Sequence, residues 1–238
     1  MAQAGLHGII GLATGQRFVP GKDENPPEAA QQFKYGLVLG NMIPDVDFFV
    51  LGPMYLINSA KAMGMHRTFT HSVITLAAVT AVMYAIYRRD ARKRAHWLGL
   101  GTGWLMHILA DILVWFSPVE ILWPLRYFGI PDTINLWANV PVPGVISSLL
   151  GAFDYFFFGL FYYYLIRVAM RLGTDSGFVP TLKKLVWLQA VFFVIYAALS
   201  FVLAPGLFNV AHYAVFILLM FPLTLWATRR MRQTIGLA

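Results

Sequence analysis

Hydrophobic positions fall in long, nearly unbroken blocks at residues 70–87, 96–116, 148–170, 184–204 and 207–228. A bilayer core of about 30 Å is crossed by roughly 20 apolar residues in helical form, so each block predicts a membrane span. Two shorter blocks, 4–16 and 30–43, precede them. Proline disfavours helix at the residue before it, so Pro44 predicts a stop at Ile43. A third short piece, 48–57, follows the break Pro44-Asp45-Val46-Asp47 and is expected to lie at the interface or to re-enter. The expected fold is therefore all-α: a polytopic membrane helical bundle of about five full spans plus two or three short N-terminal helices or re-entrant pieces. No internal repeat divides it, and 1–238 is expected to be a single domain. The N-terminus lacks a basic n-region and a small-residue cleavage site, so it is expected to be retained.

Composition agrees. Only 12% of the 238 residues are charged and 58% are hydrophobic, against about 25% charge in a soluble domain. Cysteine is absent, which excludes disulfides, Cys-ligated zinc and iron–sulfur clusters; any metal must be held by His, Asp or Glu. A net charge of +7 would ordinarily raise nucleic-acid binding. Its distribution argues otherwise. Fifteen of the 18 cations fall in loops 17–34, 88–94 and 167–184 and the tail 229–238, among them Lys22, Lys34, Arg92, Arg171 and Arg229, leaving only Lys61, Arg67 and Arg126 opposite. The positive-inside rule then predicts a multi-pass plasma (inner) membrane protein with its basic loops and C-terminus cytoplasmic, and no nucleic-acid partner. The Pro-rich segment 119–147 becomes the longest outer loop, in which Glu120 and Asp132 are expected to be solvated, as is Asp175 in its own loop.

Polar residues inside such blocks are costly and mark function by default. His107 and Asp111, four apart within 96–116, project from one helix face, either to share a metal or to staple helices by a hydrogen bond. The octapeptide Met65-His66-Arg67-Thr68-Phe69-Thr70-His71-Ser72 opens the 70–87 block; Thr70 or Ser72 is a candidate helix cap, and Arg67 beside a helix N-terminus suits an anion. Asp45 and Asp47 follow the Pro44 break, a pair suited to a hard cation. His7 completes the set. The run Tyr155-Phe-Phe-Phe158 with Phe161-Tyr-Tyr-Tyr164 predicts lipid-facing surface and an interfacial belt.

Depth ties these residues together. His7 lies ten residues from Arg17, Asp45 eleven from Lys34, His107 13 from Arg94, Asp154 13 from Arg167, His71 17 from Arg88 and His212 17 from Arg229. At 1.5 Å per residue all six sit roughly 15–26 Å above the basic edge, in the outer half of the bilayer. Of the six histidines only His96 falls on the basic side. A layer of His and Asp drawn from several helices is what an outward-facing metal centre requires.

His7, Pro44-Asp45-x-Asp47, His66-Arg67-x-x-Thr70-His71-Ser72 and His107-x-x-x-Asp111 followed by Leu122-Trp123-Pro124 occur in this order. This combination resembles the family of membrane-bound metal-dependent hydrolases related to the bacterial inner-membrane protein YdjM. The resemblance covers residues 1–127, the motif-bearing half, and leaves 128–238 as a hydrophobic helical half without a motif. It implies a multi-pass fold with a hydrolytic metal site whose ligands are His7, Asp45, His71, His107 and Asp111. The order of ligands is also similar, more loosely, to that of zinc-dependent phospholipases C and nucleases, which implies phosphoester chemistry. The expected function is a metal-dependent hydrolase of a lipid or lipid-linked phosphoester. Its expected cofactor is a divalent metal, zinc above others. Asp47 or His66 is the candidate general base, and Arg67 the candidate holder of the substrate anion. Membrane lipids are the expected partners. The competing expectation is a metal-stabilised scaffold or accessory subunit of a membrane complex.

Overall fold

Residues 3–18 and 27–238 are described in the computed structural model. Lys22, counted above with the basic loops, lies outside the described residues. The architecture is a helical bundle: α1 (Ala4–Phe18), α2 (Glu28–Gly40), α3 (Asp47–Ile57), α4 (Ser59–Met65), α5 (Val73–Ile86), α6 (Ala91–Val114), α7 (Gly144–Leu172), α8 (Val179–Val202), α9 (Pro205–Val215), α10 (Phe221–Arg230) and α11 (Arg232–Leu237).

Among the described residues four segments are long and apolar enough to cross a membrane: Ala91–Val114, Gly144–Leu172, Ser176–Val202 and Pro205–Arg230. They match four of the five expected spans. The expected span 70–87 differs. Its helix is the 14-residue α5 (Val73–Ile86), about 21 Å long, because Ser72 caps it late, accepting from the backbone N–H groups of Ile74 and Thr75. The fifth candidate is instead a broken span, Glu28–Gly40 with Ile43–Met54, bent by 50°. Pro44 does not end the helical path there. It sits in a single 3₁₀ turn, Ile43–Val46, after which α3 resumes. In the last span Pro222 is accommodated by a π turn, Phe216–Met220, which leaves room where the proline ring and its missing N–H would otherwise break the ladder.

Helices α2 and α6 approach closely because both carry glycines four apart. A Cβ at Gly36 or Gly40 would collide with the carbonyls of His96 or Leu100, and one at Gly99 or Gly103 with those of Phe33 or Leu37. Small residues at this spacing let two membrane helices pack backbone to backbone. Helix α7 is the central element, packed against α1, α8, α9 and α11. The aromatic run is consequently split rather than uniformly lipid-facing: Tyr155, Phe158, Phe161 and Tyr162 are buried, while Phe156 and Tyr163 are exposed.

One end of the bundle gathers the cations. Arg92 pairs with Glu28 at 2.6 Å, Asp175 accepts from Thr234 N at 2.9 Å, and Tyr35, Arg229 and Arg232 line a cavity there. Asp175 is thus tied to α11 rather than freely solvated, and Lys34 lies buried inside α2 rather than in a loop. The opposite end carries the segment between α6 and α7. It forms a short antiparallel pair, β1 (Val119–Glu120) with β2 (Thr133–Ile134), registered Val119 to Ile134. It is stitched to the bundle by Glu120 N donating to Arg67 O at 3.0 Å, and by Val73 N donating to Ile121 O at 2.9 Å. Glu120 and Asp132, expected in solvent, are buried by this fold-over, at 8% and 4% exposure.

Candidate metal centre

Four chain segments deliver the polar residues to one place. Helix α1 brings His7, the 3₁₀ turn after α2 brings Asp45, the 3₁₀ turn Phe69–His71 brings His71, and α6 brings His107 and Asp111. The close packing of α2 on α6 puts the end of α2 beside the middle of α6, so that His107 Nδ1 donates to Asn41 O at 2.8 Å. Trp104 Nε1, one turn earlier, donates to Thr70 O at 2.5 Å and holds the His71 turn against α6.

The eight candidate ligand and catalytic residues His7, Asp45, Asp47, His66, Arg67, His71, His107 and Asp111 converge, and every one of them except Asp47 is almost fully buried. His71 Nε2 lies 3.1 Å from His107 Nε2 and 3.3 Å from Asp111 Oδ2. His7 Nε2 is 3.2 Å from Asp111 Oδ1, and its ring stacks on that of His107 at 3.8 Å. Asp45 Oδ1 is 3.6 Å from His107 Nε2, 3.9 Å from His66 Nε2 and 4.0 Å from His71 Nε2. Among the described residues two groups meet the spacing of a metal site, His7–His107–Asp111 and Asp45–His66–His71, each with its ligand atoms within 4.8 Å of one another. The buried His and Asp side chains can therefore hold a metal ion.

The hydrogen bonds behind the rings decide which nitrogens face the centre. A carbonyl only accepts, so His107 Nδ1 carries the proton and its Nε2 presents a lone pair. His66 Nδ1 lies 2.9 and 3.0 Å from the two Asp47 oxygens and donates to them, leaving its Nε2 bare. Thr70 Oγ1 gives its single hydrogen to Asp47 Oδ2 at 3.1 Å, so it accepts from His71 Nδ1 at 3.1 Å. His71 Nε2 is bare as well. Two lone pairs facing each other at 3.1 Å repel unless a cation sits between them. Around them His66 Nε2 and both oxygens of Asp45 make no hydrogen bond, while the Asp111 oxygens are contacted by Arg67, His7 and His71. Buried polar atoms go unpaired only at a cost of about 1–3 kcal/mol each, more when charged. Three carboxylates stand against one guanidinium in this network, and ligand-ready neutral imidazoles do not balance them.

That guanidinium is Arg67, 2% exposed, with Nε 3.0 Å from Asp111 Oδ2. Its backbone holds φ +68, a left-handed conformation that is uncommon for a residue with a long side chain, and such outliers concentrate at functional sites. Arg67 also borders two cavities. One, of about 300 Å³, has an apolar wall of Trp115, Phe116, Trp137 and Leu150 and a polar one with Ser147 and Asn209. The other, of about 380 Å³, is bordered by His66, Ser117, Glu120 and Thr133.

A family model described as YdjM inner membrane protein matches residues 1–207. The chain belongs to the YdjM inner membrane protein family. No curated protein and no solved structure matches it. Family membership and the apolar helices together make it a multi-pass inner-membrane protein. The YdjM match runs beyond the motif-bearing half, through α7 and α8 to the start of α9, so the hydrophobic half as far as residue 207 lies within the family match.

Two members of the polar layer of this YdjM-family chain form a separate site. His212 Nε2 lies 3.0 Å from Asp154 Oδ2, and Asp154 Oδ1 accepts from Gln3 N at 2.8 Å. That carboxylate pins the start of α1 one turn before His7. Asn41, Trp104 and Thr70 were not singled out as parts of the site, nor were the glycines that bring α2 to α6. The glycine signal was present as Gly36-x-x-x-Gly40 and Gly99-x-x-x-Gly103. The supporting roles of Asn41 and Thr70 carry no comparable pattern, because they arise from a backbone carbonyl and a hydroxyl brought close only by the fold.

Proposed function

We propose that this protein is a membrane-embedded, metal-dependent hydrolase of a lipid or lipid-linked phosphoester, its site in the outer half of the bilayer and its C-terminus cytoplasmic. The observation that carries the proposal is the pair of bare Nε2 atoms of His71 and His107, 3.1 Å apart and beside the unpaired oxygens of Asp45. His7, Asp45, His71, His107 and Asp111 would hold the ion. Zinc suits a donor set of imidazole and carboxylate without thiolate. When bound, such an ion supplies a Lewis acid for a phosphoryl oxygen and acidifies water.

The remaining residues then have distinct work. His66 Nε2 is unprotonated, borders the 380 Å³ cavity, and takes the proton of the attacking water. Asp47 holds His66 in that tautomer through Nδ1 and acts through it. Arg67, at the junction of both cavities and ion-paired to Asp111, is the cation that would attract a phosphoryl oxygen. The water oxygen bonds to phosphorus, the ester P–O bond breaks, and the proton held by His66 passes to the departing alcohol. Apolar walls at Trp115, Phe116 and Leu150 favour a hydrocarbon tail in the 300 Å³ cavity.

The test is elemental analysis of the purified full-length protein together with phospholipid turnover before and after chelation. Stoichiometric zinc, with activity lost on chelation and restored by zinc, is the expected result. Stoichiometric metal with no turnover of any phosphoester would instead favour the scaffold.

A further inference from the structure

The 380 Å³ cavity has an acidic side that the hydrolytic proposal leaves without work. Glu120 borders it and is 8% exposed. Its Oε1 accepts from Arg126 Nη1, but its Oε2 is buried and has no partner. Near it Asp132, 4% exposed, accepts at Oδ1 from the Thr133 hydroxyl at 3.2 Å, and its Oδ2 is likewise unpaired. Two buried carboxylates therefore share one arginine, and that arginine is half in solvent. Burial pushes the Glu120 carboxyl above the usual range and the neighbouring Asp132 adds to this, while Arg126 opposes it. A cation entering the cavity would relieve both the charge and the missing hydrogen bond.

The position of this acidic wall is specific. Glu120 N donates to Arg67 O at 3.0 Å, so the anion-binding guanidinium and the acidic wall sit on adjoining pieces of chain. Arg67 and Ser117 belong to both cavities. From the aromatic wall of the 300 Å³ cavity, Trp115, Phe116 and Trp137, through Arg67 to Glu120, the order of surfaces is hydrocarbon, anion, cation. That order matches one class of amphiphile: tail, phosphate, ammonium.

We infer that Glu120, backed by Asp132, is a headgroup-recognition site for the ammonium of a zwitterionic phospholipid whose phosphate lies at Arg67. This names the substrate class of the metal centre and rests on the phosphoester-lipid proposal above. Anionic lipids lacking an amine, such as phosphatidylglycerol, leave Glu120 Oε2 without a partner and are bound less well. Arg126 is a competitor for the same carboxylate, so weakening it strengthens recognition.

Binding rather than turnover is the measurement that keeps the two proposals separable. Titration calorimetry on the purified full-length protein in detergent would compare dihexanoyl phosphatidylethanolamine, dihexanoyl phosphatidylglycerol and free phosphoethanolamine. The wild type should prefer the ethanolamine lipid over the glycerol lipid by about tenfold, the scale of one charge-assisted hydrogen bond. Glu120→Gln should reduce that ratio to near one. Arg126→Gln, a change at a partly exposed side chain that does not depend on tolerance at Glu120, should raise it. Equal binding of the two lipids by wild type, or a ratio unmoved by both substitutions, would overturn the inference, and so would free phosphoethanolamine binding as tightly as the lipid. Selectivity without any turnover would uphold headgroup recognition and remove the hydrolase instead.

Discussion

The carbonyl oxygen of Asn41, at the end of α2, accepts a hydrogen bond from His107 Nδ1 at 2.8 Å, joining residues 66 positions apart. The bond does more than link two helices. By occupying Nδ1 it fixes the imidazole so that Nε2 faces Asp45 and His71. A partner on the far nitrogen is what gives a metal-ligating histidine its tautomer and orientation. Here that partner is main chain, so it is set by how closely α2 approaches α6, and that approach is set by glycine.

The first prediction concerns that approach. A methyl at Gly103 meets the Leu37 carbonyl and crowds Asn41 N, and backbone yields less readily than a flexible side chain. Gly103→Ala should destabilise the protein by about 1–3 kcal/mol, typical of overpacking, and should lower bound metal by displacing the Asn41 carbonyl. Gly64→Ala, where an added Cβ meets nothing within 4 Å, is the matched control. Thermal unfolding and metal content measured on both variants check it; equal effects would refute it.

A second prediction separates the atoms that would hold the ion from those that would move a proton. His107→Ala removes a bare Nε2 from the centre of the cluster and should abolish stoichiometric metal. Asp47→Asn alters a group that touches only His66 Nδ1 and Thr70 Oγ1. It should leave most of the metal in place while turnover falls by about 10–100-fold, the usual cost of losing a carboxylate behind a histidine. His66→Gln should resemble Asp47→Asn. Elemental analysis beside kinetics decides: metal loss in Asp47→Asn equal to that in His107→Ala would place Asp47 among the ligands.

Much of this centre was legible because helical rise converts a residue's offset from the nearest arginine into depth. That conversion needs no knowledge of packing, and it placed His7, Asp45, His71 and His107 in one layer. Depth carries no azimuth, however. Asp154 and His212 share the layer but stand on α7 and α9, where they bond to each other 3.0 Å apart. The partnership of Arg67 with Asp111 was likewise hidden, since it depends on a left-handed residue in a loop. Glu120 and Asp132 looked solvated in a Pro-rich stretch; only the pairing of Glu120 with Thr133 across 13 residues buries them. Helix boundaries erred where caps rather than hydrophobicity decide, as at Ser72, whose cap shortens α5.

Orientation gives the third prediction. The cation-rich loops gather at one end of the bundle and the segment between α6 and α7 at the other. With no native cysteine, single reporters are clean. Arg89→Cys lies in the turn before α6 and Leu136→Cys in the opposite loop, and both positions are exposed. The positive-inside rule predicts that a membrane-impermeant maleimide labels position 136 in intact cells and position 89 only after lysis. Labelling of position 89 from outside would invert the protein and place the metal centre on the cytoplasmic side.

The last prediction concerns Asp154, which touches none of the candidate ligands. Its Oδ1 accepts from Gln3 N and its Oδ2 faces His212 Nε2, while Gln3 O accepts from His7 N at 3.2 Å. The carboxylate therefore fixes where α1 begins, and α1 fixes where His7 stacks on His107. Asp154→Ala strands a buried imidazole and frees the start of α1 together, so it should cost several kcal/mol and confound stability with position. Asp154→Asn is the sharper test. Its amide oxygen can still accept from Gln3 N, and the charge that attracts His212 is gone. If Asp154 acts by placing α1, Asn should retain near-normal metal affinity while Ala loses about 10–100-fold, the range seen when a ligand's support is removed. If Asp154 acts through its charge, both variants should lose metal alike. Metal titration of the folded fraction of each variant distinguishes these outcomes, and His7→Ala, which removes the ligand without touching the anchor, sets the largest loss that misplacing α1 can produce.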